Sequence, residues 1–275
     1  MDWLWTILYG FVAGLAEFLP ISSQANQDTA ASVFGLDLTA PLRQFLLRAA
    51  CLAALLYSCR HEISKLKRDR RLAKTPARRR TRPVDSRSIA TLRLLNTAVI
   101  PMAVGLLFTQ RAAQWVSTLV VLAVFLVING ILLFVPQYIR SGNKDARSMS
   151  PLDGVLLGVA AAFSVFPGIS RIGALHFAAS ARGADKSYSL QFALLLSIPA
   201  MVILLIFDAV AVFSGVESLS FLVVLQYLLA MAAAYYGSCF AISTMRSLAV
   251  RSGYSGFTYY CWGMALISII LYLTT

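Results

Sequence analysis

Two short stretches, Phe18-Leu19-Pro20-Ile21-Ser22-Ser23 and Phe166-Pro167-Gly168-Ile169-Ser170-Arg171, decide how this chain folds. Each interrupts an apolar segment, the first at about 3–30 and the second at about 151–180. Proline lacks an N–H and clashes with the preceding turn, so no continuous lipid-facing helix passes through either stretch. We read both as tips of re-entrant hairpins. Around them lie six runs long enough to span a bilayer, at about 41–59, 93–110, 116–138, 189–212, 219–242 and 256–273. The composition agrees, being 59% hydrophobic and only 13% charged where soluble proteins carry about 25%.

The charges orient these segments. Twelve of the 24 Lys and Arg lie between Arg60 and Arg87, and basic loops stay cytoplasmic. We read this loop, 60–92, as solvated and partly disordered, its charge a topology signal rather than a nucleic-acid site. With it inside, the first hairpin enters from outside and the second from inside, and both termini lie outside. Arg140, Lys144, Arg147, Arg182, Lys186, Arg246 and Arg251 then all fall on the inner side. The N-terminus has an acid, Asp2, and no base, so it is not a secretory signal and is expected to be retained. Cys51, Cys59, Cys239 and Cys261 show no CxxC spacing and read as packing residues.

The expected fold class is an all-α polytopic membrane protein of two inverted-topology repeats, 1–138 and 151–275. Each repeat is a re-entrant helical hairpin plus three transmembrane helices, giving six spans and two re-entrant hairpins. The hairpins support this directly. Gly10-Phe11-Val12-Ala13 and the first tip align with Gly158-Val159-Ala160-Ala161 and the second, so that Gly, Ala, Phe, Ile and Ser recur at one offset.

In such folds half-helix N-termini meet near the midplane and direct free N–H groups at an anion. Arg171 supplies a guanidinium fork that matches phosphate oxygens. Gly168 and Gly173 permit close backbone approach, and Ser22, Ser23 and Ser170 add hydroxyls. Glu17 is the acid of the first hairpin: a general base, a metal ligand, or the partner of Arg171. Arg48 is a second intramembrane cation that joins the site, snorkels, or pairs with Asp28 or Asp37.

Gly14-Leu15-Ala16-Glu17-Phe18-Leu19-Pro20-Ile21-Ser22-Ser23 and Pro167-Gly168-Ile169-Ser170-Arg171-Ile172-Gly173-Ala174 resemble the two signature segments of the undecaprenyl-diphosphate phosphatase, or bacitracin-resistance, family. The likeness extends over most of the chain, through Gln191 to Pro199 and the segment from Ala53 to Arg60. It implies an integral membrane enzyme that removes the terminal phosphate of a polyprenyl diphosphate and so recycles the lipid carrier of envelope polymers. It further implies Glu17 as essential acid and metal ligand, Ser23 as nucleophile or substrate ligand, Arg171 as diphosphate clamp, and a divalent cation, Mg or Ca.

The chain also departs from the family pattern. Ala13 stands where an acid or Gln is usual, Asn26 where a His is usual, and Ile172-Gly173-Ala174-Leu175 where Ser-Gly-Ala-Thr is usual. Asn26 is accordingly kept as a substrate-binding position, and His176, five residues beyond Arg171, becomes the candidate replacement base. The expected partners are a polyprenyl phosphate or diphosphate lipid, the bacterial inner membrane and, as an open assembly, a homodimer; nucleic acid is not among them. A hydrolysis-impaired polyprenyl-phosphate flippase using the same phosphate site is the alternative, ahead of a small-anion transporter.

Overall fold

The computed structural model describes residues 3–27, 40–80, 82–116, 118–139, 142–214, 221–251 and 254–274. Every regular element of useful length among them is helical: α1 (Trp3–Phe18), α2 (Pro41–Ser58), α3 (Arg60–Lys74), α4 (Ser86–Leu106), α5 (Thr109–Trp115), α6 (Leu119–Tyr138), α7 (Pro151–Ala162), α8 (Arg171–Ala181), α9 (Lys186–Ser214), α10 (Phe221–Arg251) and α11 (Ser255–Thr274). Five of these, α4, α6, α9, α10 and α11, are long and apolar enough to cross a bilayer. A sixth is reached if α2 and α3, bent by 66° at Cys59, count as one span. Large side chains such as Ile100, Trp115, Phe213 and Phe221 stand exposed on the outside of the bundle, a surface suited to lipid rather than water.

The basic segment 60–92 differs from its expected form. Residues 60–74 are helical, with Ile63 and Leu66 packed on the core and Asp69 buried, and α4 begins inside the segment at Ser86. Two apolar contacts and a start capped by Asp85, whose carboxylate accepts from Arg87 N at 2.9 Å, order what charge density alone suggested was loose.

The two apolar segments interrupted at Pro20 and at Pro167-Gly168 do break where expected, whereas α4, α6 and α9 continue through Pro101, Pro136 and Pro199. α1 stops at Phe18, a short helical stretch resumes over 23–27, and α7 gives way to a single 3-10 turn, Phe163–Val165, before α8 starts. The N-terminus of α7 is fixed by a capping box between Ser150 and Asp153 with Pro151 in the first turn. That of α8 is capped by Ser170.

Packing between helices relies on small residues, as it must where lipid offers no hydrophobic drive. α1 lies on α10 so closely that a Cβ on Gly10 or Gly14 would fall 2.2 Å from the carbonyl oxygen of Ala230 or Ala234. α7 lies on α4 in the same way, a Cβ on Gly158 falling 2.2 Å from the carbonyl oxygen of Ala98. The contacts are reciprocal: α1 packs on α10 and α7 on α4, α2 packs on α9 and α10 while α9 packs on α2 and α4, and α6 pairs with α11. Elements of 1–138 thus dock mainly on elements of 151–275, and the core sits between them.

Candidate active site

The two breaks meet. In the first, Pro20 ends the helical path and Ser22 opens the next turn, its Oγ accepting from Ala25 N at 3.3 Å. In the second, Gly168 adopts φ +104°, a region glycine enters without strain, and a Cβ there would also fall 2.6 Å from the Phe125 side chain. Gly168 N then donates to Ser22 Oγ across the junction at 2.9 Å.

A third residue clamps both tips. Asn129, fully buried in the middle of α6, donates from Nδ2 to the Pro20 carbonyl at 3.1 Å and accepts at Oδ1 from Ser170 N at 2.9 Å. An Asn inside an apolar span is a legible polar anomaly, yet nothing local says that its partners lie 109 and 41 residues away. Replacing Asn129 with Leu orphans two buried backbone groups, each worth about 1–3 kcal/mol. The expected outcome is a clear fall in the unfolding midpoint in detergent.

On this scaffold the charged groups converge. Glu17, at the end of α1, accepts from Arg171 Nη2 at 2.8 Å through Oε1 and from Ser23 Oγ at 3.0 Å through Oε2. Arg171 heads α8, and its Nε is buried with no partner among the described residues. The first N–H groups of α8 have no intrahelical acceptor, and Ser170 Oγ takes only that of Gly173, at 3.3 Å. A cavity of about 380 Å³ opens beside these groups. Its walls include Glu17, Ser22, Ser23, Ser170 and Arg171 from the tips and Arg48 from α2.

Asp208 of α9 also lines this cavity and pairs with Arg48, whose Nη1 donates to it and to the Leu204 carbonyl at 3.2 Å. Sequence reading missed Asp208, although an acid inside the run 189–212 was a visible signal. Asp28 and Asp37, the partners considered for Arg48, lie outside the described residues.

Four predicted residues do not reach the cavity wall. Gly168 and Gly173 shape the second tip, and a Cβ on Gly173 would meet Asn129 Oδ1 at 3.2 Å. Asn26 is turned to Tyr260, whose hydroxyl donates to its Oδ1. His176 is buried in α8, its Nδ1 3.3 Å from Ser189 Oγ and its ring 4.5 Å from that of Tyr254. The helical period carries His176 into the interior between α8 and α9, so the structure does not bring it to Glu17 as the proton-handling reading required. The four cysteines are free, and Cys51, Cys59 and Cys261 are buried, as packing residues should be.

No three His, Cys, Asp or Glu side chains converge on a metal-sized site among the described residues. Glu17 could contribute one ligand, a donor set that suits a hard divalent cation only where phosphate oxygens complete the coordination.

Fold and site together define a multi-pass α-helical membrane protein with a charged cavity where two broken helices meet. The chain belongs to the bacitracin resistance protein BacA family, whose family model matches residues 6–267. It is 28% identical to an undecaprenyl-diphosphatase of Methanobrevibacter smithii over 99% of this chain and 98% of the relative. It is 29% identical to undecaprenyl-diphosphatase 3 of Bacillus cereus over 100% and 99% of the two chains. A Carboxydothermus hydrogenoformans undecaprenyl-diphosphatase is 26% identical over 96% and 95%.

Proposed function

We propose that this protein is an integral membrane phosphatase that converts undecaprenyl diphosphate, or a similar polyprenyl diphosphate, to the monophosphate and so recycles the lipid carrier of the cell envelope. The observation that carries the reading is the Arg171–Glu17–Ser23 relay on the wall of a cavity formed where two helix breaks meet. Full-length similarity to proteins named undecaprenyl-diphosphatases supports it.

The geometry suits phosphoryl transfer. Arg171 keeps unspent N–H donors for phosphate oxygens, and the N-terminal turn of α8 adds its partial positive charge. Ser23 Oγ already donates to Glu17, so Glu17 is placed to take that proton as Oγ attacks the terminal phosphorus. The Oγ–P bond forms, the P–O bond to the lipid phosphate breaks, and Arg171 stabilises the departing charge. Glu17 passes that proton to the departing lipid phosphate and then takes one from water as the water oxygen attacks phosphorus. The P–Oγ bond breaks, the proton returns to Ser23 Oγ, and inorganic phosphate leaves. When bound, a divalent cation would be held by Glu17 and would supply further charge neutralisation.

In this reading the reciprocal docking of the helices reflects an inverted repeat, with hairpins at 3–30 and 151–180, the 60–92 segment cytoplasmic, both termini outside, and hydrolysis on the outer face of the inner membrane. The same reciprocity favours one second reading, a flippase that moves the lipid phosphate without cleaving it, because inverted repeats are common transporter architecture. One experiment separates them: phosphate release from C55 diphosphate by purified protein, with and without divalent cation, beside leaflet transfer of labelled monophosphate in liposomes. Release should fall by about 10²–10⁴-fold in Glu17→Gln, the usual contribution of an acid–base group. Transfer with no release in the wild type sinks the phosphatase and supports the carrier.

A further inference from the structure

The cavity holds a second guanidinium–carboxylate pair that the mechanism leaves idle. Arg171 and Glu17 belong to the two tips, whereas Arg48 and Asp208 come from the unbroken helices α2 and α9. Arg48 spends only Nη1, on Asp208 and Leu204; its Nε and Nη2 make no hydrogen bond among the described residues, and its side chain remains 26% exposed. Among the described residues Arg171 likewise spends only Nη2, on Glu17. Each guanidinium therefore has several of its five N–H donors available to the same cavity.

A carboxylate at membrane depth is costly, and a buried ion pair is often no more stabilising than an apolar one of similar volume. Packing alone is a weak reason for this pair to line a polar cavity. Its charge balance supplies a better one. Among the described residues the cavity's two arginines and two carboxylates balance, and a phosphate gains the full charge of an arginine only where it takes the place of that arginine's carboxylate. Glu17 is held by two donors, Arg171 and Ser23, while Asp208 is held by Arg48 alone among the described residues.

We propose that Asp208 is an exchangeable counter-ion: it positions Arg48 until a two-phosphate headgroup arrives, whereupon Arg48 transfers to one phosphate while Arg171 holds the other. The cavity thereby selects a diphosphate over a monophosphate. This rests on reading the cavity as a lipid diphosphate site, and Asp208 acts as a positioning residue that does not touch the reacting atoms.

The test uses the non-hydrolysable methylene-bisphosphonate analogue of farnesyl diphosphate, beside farnesyl monophosphate, titrated calorimetrically into full-length protein in detergent, with phosphate release from farnesyl diphosphate itself measured alongside. Wild type should prefer the diphosphate. Arg48→Gln should weaken the diphosphate by about tenfold, the scale of one charge-assisted contact, and the monophosphate far less. Asp208→Asn removes the competitor for Arg48 and should tighten the diphosphate by about three- to tenfold. Opposite signs mark an exchangeable counter-ion; a structural pair would weaken both ligands together when either half is lost. Should a single variant fold poorly, the double variant Arg48→Gln with Asp208→Asn leaves no unpaired charge and should bind like Arg48→Gln. Single variants shifting in the same direction, or a double variant with the wild-type preference, overturn the proposal. Absence of phosphate release with the binding pattern intact removes hydrolysis and leaves the counter-ion standing. Normal release with unchanged variant affinities does the reverse.

Discussion

Replacing Arg171 with alanine should lower phosphate release from C55 diphosphate by at least about 10²–10³-fold, the usual cost of removing one preorganised donor from a developing phosphoryl charge. The effect has two parts. The clamp is lost, and Glu17 is left as a part-buried carboxylate whose remaining partner is Ser23. Breaking such a pair by deleting one partner costs about 3–5 kcal/mol, so turnover must be measured on the folded, monodisperse fraction. Arg171→Lys separates the parts, because it keeps the charge and loses the fork. It should restore the melting temperature more fully than it restores turnover. Equal recovery of both would show that Arg171 serves structure rather than chemistry.

Gly14→Val should be nearly as damaging, although Gly14 touches no charged group. Its Cβ would lie 2.2 Å from the carbonyl oxygen of Ala234 and 2.8 Å from that residue's carbonyl carbon, both backbone atoms that cannot swing aside. α1 must therefore retreat from α10. Overpacking of this kind costs about 1–3 kcal/mol, and more where backbone is involved. Because α1 ends one turn later in Glu17 and the Pro20 break, the retreat also displaces the carboxylate from Arg171, and misplacement by about 1 Å can cost 10²-fold in rate. Gly256→Ala and Gly263→Ala, where an added Cβ meets nothing within 4 Å, should leave stability within about 0.5 kcal/mol of wild type. If Gly14→Val matches those controls in melting temperature and turnover, the close α1–α10 contact does not position the site.

Much of the fold was legible because membrane folding imposes local rules. A span announces itself by about twenty apolar residues. A break does so by proline closely followed by serine or glycine, as at Pro20 and Pro167-Gly168, whereas the single prolines Pro101, Pro136 and Pro199 stay within continuous helices. Five of the six runs, the sixth counting only if α2 and α3 form one span, together with the two breaks and the apolar cysteines, were therefore readable one segment at a time. Glu17, Ser23 and Arg171 stood out for the same reason, as polar groups beside breaks in apolar sequence. The order of segment 60–74 did not, because its few apolar contacts, Ile63 and Leu66, are hidden within a dense run of charge.

The sequence by itself determined which segments are apolar enough to cross a membrane, where the helices at the two tips break, and which residue types stand at those breaks, since each depends on hydropathy and backbone chemistry within a few residues. Only the tertiary structure decided which of those groups meet. It set Asn129 across both tips, joined Arg48 to Asp208 from 160 residues away, and turned His176 inward to Ser189 and Tyr254 while keeping Glu17 on the cavity. The physical reason is that helix-to-helix register in a bilayer is set by small-residue contacts such as Gly14 on Ala234. Those contacts are properties of pairs of helices, and no single segment contains them.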